Sequence, residues 1–378
     1  MPGFEAKSIL IANPYGIGDI LFTTPLVSTL RKAFPKSYIA YLVGSRTKEV
    51  LAANPEIDEI FVFDRDAFRA KPKLQAYKDF LGLIRSLRRK KFNLYFDLSN
   101  TSMYGFLSFI LGIRWRIGFN YKKRGRFLNF KMPLNGFEDK HVIEYYLSLL
   151  DFLPGRIKKE KVSKFYLPGE IENWAEEFLK LHNLKGSVLI GIHPGGGKSW
   201  GKMAHFRWWP EERFFSLAKI LIKKYQAKII VFSEPRAAPA KGREPRTFSE
   251  RAELPSSEQA QNGLDGGSFI FPRDLSLIQF AALIKRIRLL ISNDGGPLQI
   301  AVAVGTPTVS IFGPVSEVVY GPYPPNEKHE IVSKGLDCQP CYRKFSFNPC
   351  RQRKCLDELT ENEVLAKVER VLSHKANA

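Results

Sequence analysis

The sequence predicts two doubly wound α/β domains, and three observations carry that prediction. They are the length, an alternation of β-branched runs with helical periods, and the return of that alternation after a break. At 378 residues and 44% hydrophobic content, the chain is too long for one ordinary core and can bury two. In the first half, Ser8–Ala12, Tyr38–Val43, Glu59–Phe63, Leu94–Asp97 and Arg116–Gly118 read as strands. Helical periods at Ile20–Phe34, Thr47–Asn54, Leu74–Lys90 and Ser102–Leu111 lie between them, long enough for right-handed crossovers between parallel strands.

From Pro133 to Leu184 prolines and glycines punctuate helices near His141–Phe152 and Glu170–His182, so the domain boundary is expected there. Strands then recur near Val188–His193, Lys228–Phe232, Phe269–Phe271, Leu289–Ser292 and Thr308–Phe312, with helices at Pro210–Tyr225, Leu275–Arg286 and Pro297–Val304. The expected division is a first domain at 1–168, a second at 169–359, and a last helix within 360–378 that packs back on the first. Two such halves would face each other across a cleft at the carboxyl ends of their strands, where these folds bind nucleotides. The stretch Glu234–Gly267 lacks apolar periodicity and reads as a mobile loop.

Charge narrows the partners. There are 58 Lys and Arg against 38 Asp and Glu, a net charge of +20. Residues 1–168 hold 29 basic and 15 acidic residues, so the first half is expected to meet the larger anion. Met1 to Leu10 shows no secretory pattern, which predicts a cytoplasmic protein. The longest apolar stretch, Met103 to Ile113, is about half of the ~20 residues a spanning helix needs. With Trp115, Phe119 and the basic residues around it, it reads either as a membrane-surface element or as a buried helix beside solvated turns.

Three loops can carry chemistry. After the first strand comes Asn13-Pro14-Tyr15-Gly16-Ile17-Gly18-Asp19, a glycine turn into a helix. It lacks the third glycine of a dinucleotide fingerprint and places a carboxylate where pyrophosphate would approach. Asp19 is therefore either a helix cap or a base that takes a proton from an acceptor hydroxyl. The second loop is His193-Pro194-Gly195-Gly196-Gly197-Lys198-Ser199-Trp200, leading to Arg207-Trp208-Trp209-Pro210. Gly195 and Gly196 let main-chain N–H groups approach an anion, and Lys198, Lys202 and Arg207 can neutralise a diphosphate without a metal. Ile192 stands where a P-loop needs its first glycine, which excludes that reading. The third is Ser292-Asn293-Asp294-Gly295-Gly296-Pro297, with Gly295 and Gly296 exposing amides at a helix start.

In this order the loops resemble the heptosyltransferases, glycosyltransferase family 9. The resemblance runs from Ile9 to about Leu372 and is strongest at Gly18-Asp19-Ile20-Leu21-Phe22-Thr23-Thr24-Pro25, His193-Pro194-Gly195, Arg207-Trp208-Trp209-Pro210 and Ser292 to Pro297; Arg116-Ile117-Gly118-Phe119 is a weaker match. It implies a GT-B-like fold and an inverting, metal-independent transfer of heptose from ADP-heptose to a lipopolysaccharide inner-core acceptor. Asp19 is then the general base and Arg207 stabilises the leaving diphosphate. Gly195, Gly196, Lys198, Lys202, Asp294, Gly295, Gly296 and Gln299 fall to the donor, and Gly18, Thr23 and Arg116 to the acceptor. The enzyme would need no cofactor and would work at the inner face of the inner membrane. Where the family commonly has histidine, this chain has Gln299, which hydrogen-bonds but carries no proton at neutral pH.

All four cysteines cluster as Cys338-x2-Cys341-x8-Cys350-x4-Cys355, a candidate structural zinc site or, if oxidised, two disulfides. Two other functional readings remain. One is a related transferase with another nucleotide-sugar donor; the other is a degenerate binder of nucleotide sugar or lipid, suggested by Gln299. Nucleic acid is not an expected partner, since only net charge favours it.

Overall fold

The computed structural model describes residues 4–63, 68, 70–196, 198–232, 267–348, 350 and 352–374. The expected 234–267 loop lies outside these residues, apart from Gly267. Two compact units divide between Tyr166 and Leu167, and each carries a parallel six-stranded sheet.

The first unit's strands are β1 (Ser8–Asn13), β2 (Tyr38–Val43), β3 (Glu59–Val62), β4 (Leu94–Asp97), β5 (Trp115–Tyr121) and β6 (Phe130–Leu134), ordered β3-β2-β1-β4-β5-β6. Its helices are α1 (Ile17–Leu21), α2 (Thr24–Ala33), α3 (Lys73–Arg89), α4 (Ser102–Ile110) and α5 (Val142–Ser148). Every residue of β1 and β4 is buried, as expected of strands covered by helices on both faces.

Two departures have local causes. The helix expected from Ile20 starts at Ile17 and breaks at Phe22–Thr23, because Pro25 has no N–H to continue the ladder. The Thr24 hydroxyl covers the freed carbonyl of Leu21, at 2.8 Å, and the Thr23 hydroxyl adds a bond to the Ile20 carbonyl, at 2.7 Å. The unforeseen strand β6 contains Pro133, which demotes a strand by pattern yet is tolerated at the sheet edge where β6 lies.

In the second unit, α6 (Gly169–Leu181) precedes β7 (Leu189–His193), α7 (Glu211–Tyr225), β8 (Lys228–Val231), β9 (Phe269–Ile270), α8 (Leu277–Arg286), β10 (Leu289–Asn293), α9 (Gly296–Val304), β11 (Thr308–Ile311), α10 (Glu317–Tyr320) and β12 (His329–Val332). A small hairpin, β13 (Tyr342–Arg343) and β14 (Ser346–Phe347), leads to α11 (Lys354–Asp357) and α12 (Glu361–His374). The order β12-β11-β10-β7-β8-β9 repeats the first sheet's topology. Val364, Val368, Val371 and Leu372 of α12 are buried in this unit's own core with Leu217, Ile311 and Val332, so the last helix has its apolar stripe in the second unit.

In both sheets the connections reverse direction at one point, between β1 and β4 and between β7 and β10. The carboxyl edge of such a switch point is where open α/β sheets bind ligands.

Candidate active site

At the first switch point, Asn13 ends β1 and organises the turn after it. Its Oδ1 accepts from the Tyr15 N–H at 3.1 Å, and its Nδ2 donates to the Asp19 carbonyl at 3.2 Å. The Asp19 carboxylate reaches back to the Gly16 N–H at 3.1 Å and caps α1 while remaining half-buried. Capping is thus a role the structure gives Asp19, and it fixes where the carboxylate stands. The Tyr15 hydroxyl donates to the carbonyl of Ser99, which ties this turn to the end of β4.

There the structure adds a residue that the sequence did not single out. Asp97 is 4% exposed, and its Oδ1 accepts from the Ser99 N–H at 3.0 Å and hydroxyl at 2.6 Å. Burial pushes its carboxyl up to about 6 against those two hydrogen bonds. A carboxylate at a strand end reads as a simple turn former, and its burial arises only when β4 is enclosed by its neighbours.

At the second switch point, Asn293 is the hub. Its Nδ2 donates to the carbonyls of Pro194 (2.8 Å) and Gly195 (3.0 Å), and its Oδ1 accepts from the Trp209 N–H at 2.9 Å. One buried amide therefore holds the ends of β7 and β10 and the approach to α7. Asp294 follows, 5% exposed, paired with Arg207 at 2.5 Å, and Arg207 also donates to the Asp294 carbonyl at 3.1 Å. The guanidinium lies 5.0 Å from the Trp200 ring centre.

Two glycines make this edge buildable. Gly295 adopts φ 156° and ψ −167°, a region open essentially to glycine alone, and turns the chain into α9. At Gly196 a Cβ would stand 2.5 Å from the Trp208 indole nitrogen, so only glycine admits that ring. Backbone N–H groups at the start of α9 and the Arg207 cation thus share one sheet edge, an arrangement suited to an anion. His193 ends β7 at 1% exposure; its Nδ1 lies 3.1 Å from the Gly195 carbonyl and its Nε2 has no partner among the described residues. Burial lowers its pKa to about 4, so the ring is neutral at physiological pH.

Residues 80–351 match the model of glycosyltransferase family 9 (heptosyltransferase). The chain belongs to this family. It is 25% identical over 322 residues to lipopolysaccharide heptosyltransferase 3 of Escherichia coli, covering 82% of this chain and 84% of the relative. Among solved structures it resembles a family 9 glycosyltransferase of Veillonella parvula, with a TM-score of 0.77, 22% identity and 98% of both chains covered. It also resembles the E. coli ADP-heptose lps heptosyltransferase II, with a TM-score of 0.69, 19% identity, and 98% and 99% covered. The GT-B fold read from the sequence is therefore shown, and the protein is a glycosyltransferase of family 9, the heptosyltransferases.

Within this glycosyltransferase, several residues expected at the site also bond to the framework. Thr23 is fully buried, and its hydroxyl is used by the Ile20 carbonyl and, at 2.7 Å, by the Tyr41 hydroxyl; it is a framework residue. Arg116 sits at the amino end of β5, level with Tyr95 and Leu10, and so about 10 Å before the edge where Asn13 ends β1. Its guanidinium donates to the carbonyls of Phe127, at 2.7 Å, and Ile113, which makes it a brace for the loops flanking β5. Gln299 is 4% exposed and donates to the Tyr320 carbonyl at 2.8 Å, tying α9 to α10. Gly18 lies inside α1. Lys198 and Lys202 lie on the turn between β7 and α7, with side chains outside the described residues.

The zinc expectation is not supported. Among the described residues no group of three or more His, Cys, Asp or Glu side chains could hold a metal ion. The four cysteines are free thiols that range from exposed at Cys338 to buried at Cys355. Burial first, then the neighbouring thiols, pushes Cys355 up to about 11, which keeps it protonated.

Proposed function

We propose that this enzyme transfers heptose from ADP-heptose to a hydroxyl of a lipopolysaccharide inner-core acceptor, with inversion and without a divalent metal. Residues 1–168 take the acceptor and 169–359 the donor. The acceptor oxygen attacks the anomeric carbon, the bond from that carbon to the β-phosphate oxygen breaks, ADP departs, and Asp19 receives the hydroxyl proton. A positioned base of this kind contributes roughly 100- to 10,000-fold. The diphosphate is met by the α9 N-terminus at Gly295 and Gly296, the main chain of Gly195 and Gly196, and the cations Arg207, Lys198 and Lys202. Asp294 positions Arg207, and Gly18, beside Asp19 in the first turn of α1, faces the acceptor.

The observation that carries this reading is the Asn293 hub, because it joins the loop ends of β7 and β10 that bring the Arg207 guanidinium and the start of α9 to one edge. Such preorganisation suits stabilisation of a departing diphosphate. The test has two parts. ADP and ADP-heptose should raise the melting temperature more than UDP or GDP compounds do, since ligands of the folded state stabilise it. The Asp19→Asn variant should then lose transfer by at least ~100-fold with ADP affinity nearly unchanged. Preference for another nucleotide would reassign the donor; transfer surviving in Asp19→Asn would leave that carboxylate as a helix cap alone.

A further inference from the structure

The first unit carries a surface that none of this chemistry uses. On α4, Tyr104, Gly105, Leu107 and Ser108 are buried, whereas Met103, Phe106 and Phe109 are 39%, 45% and 54% exposed at a spacing of three. Spacing of three puts them on one helical face. The Phe127 ring extends that face, 5.2 Å from Phe106 and 5.8 Å from Phe109. Large apolar side chains gathered on one face of a soluble domain mark an interaction site.

Its charge is one-sided. From residue 80 to residue 137 the chain has twelve Lys and Arg and a single carboxylate, Asp97, which is buried. Arg114, Lys122, Lys123, Arg124 and Arg126 are exposed and make no ion pair among the described residues. Arg126 lies over the Phe127 ring at 4.7 Å, which sets a cation directly beside the apolar face. The turn holding Lys122 to Arg126 leaves the carboxyl edge of β5, the same sheet edge from which the Asp19 turn leaves β1. Among the described residues no helix is long and apolar enough to cross a membrane.

We propose that α4 and the 122–127 turn form a docking face for an anionic lipid bilayer, with Phe106 and Phe109 entering the headgroup region and the basic turn meeting lipid phosphates. An apolar face rimmed by unpaired cations fits that partner better than it fits a second copy of this chain, which would bring cation against cation. The choice of a lipid surface rests on the lipid-linked acceptor proposed above, but its test does not depend on transfer. The protein should co-sediment with vesicles of phosphatidylglycerol and phosphatidylcholine, bind phosphatidylcholine alone weakly, and dissociate as salt rises. The double variant F106S/F109S should lose about tenfold or more in vesicle affinity, the loss expected for two partly inserted rings. Reversing Lys122 and Lys123 to Glu should weaken binding to anionic vesicles with Phe106, Phe109 and Phe127 left in place, and so covers the case in which the Phe variant fails to fold. ADP binding should be unchanged in both. Unaltered vesicle binding in both variants, or no binding by the parent protein, would overturn the proposal. So would a lipid-free dimer that F106S/F109S dissociates.

Discussion

The two units have the same strand order and the same switch point, yet their carboxyl edges are held in different ways. In the first, a turn is pinned by two hydrogen bonds of the Asn13 amide, one carboxylate cap at Asp19 and one tyrosine hydroxyl at Tyr15. In the second, Asn293 makes three hydrogen bonds, Arg207 and Asp294 form a largely buried pair, and the Trp209 indole donates to the Leu359 carbonyl at 2.9 Å. The scaffold therefore decides only where chemistry can sit. Loop residues decide whether that place is a tightly bonded edge with a buried ion pair or a half-buried turn that carries a carboxylate. The difference fits the roles proposed above, in which the second unit meets the donor diphosphate and the first unit takes the acceptor.

The comparison breaks most sharply at Arg207. Replacing it with alanine leaves Asp294 buried without its cation, and removing one partner of a buried pair typically costs about 3–5 kcal/mol. Denaturant unfolding of Arg207→Ala should show a loss of that order together with weaker ADP binding. A loss under about 1 kcal/mol would mean that water reaches the pair and that the second edge is as open as the first.

Asn293→Ala is next. It strips partners from the Trp209 N–H and from two carbonyls in a buried setting, and each orphaned group costs about 1–3 kcal/mol. A net loss of about 3 kcal/mol with reduced ADP affinity is expected, since the β7 and β10 loops come apart. If stability fell while ADP affinity held, the hub would be structural and the anion site would reside in α9 alone.

Sequence pattern located nearly every strand of both sheets, because β-branched runs bounded by Gly and Pro are a local signal. It missed β6, where Pro133 breaks the pattern that the sheet edge tolerates, the short edge strand β12, and the break before α2, where Pro25 acts through a missing donor. Asp19, Arg207 and Asp294 stood out because each sits in a glycine or aromatic motif. That Arg207 and Asp294 pair, 87 residues apart, was not legible, since the pairing depends on β7 and β10 being neighbours. For Arg116 and Thr23 the structure adds bonds to the framework that a motif does not show, and these too depend on register and burial. Asp97 carried no motif, and only tertiary burial distinguishes it.

Asp97 and His193 sharpen the comparison in a way that reads each unit separately. Asp97 has its pKa raised to about 6, so it favours the folded state fully below its unfolded value, and that contribution is lost as pH rises through 6. His193 has its pKa lowered to about 4, so its contribution is present above its unfolded value of about 6.5 and lost as pH falls through 4. Each amounts to about 3 kcal/mol, with opposite sign in nearly the same window. If the chain unfolds in one transition, the two nearly cancel and stability between pH 4 and 6.5 changes little on their account. Asp97→Asn removes the falling contribution, so stability should then rise with pH across that window. His193→Gln removes the rising one, so stability should fall. If the units unfold separately, the opposed slopes should appear in the parent protein, with the first unit weakening and the second strengthening as pH rises. Calorimetry across that range distinguishes these outcomes. Identical pH profiles in the parent protein and both variants would mean that neither group is desolvated as its burial indicates, and the contrast between the two edges would then rest on hydrogen bonding alone.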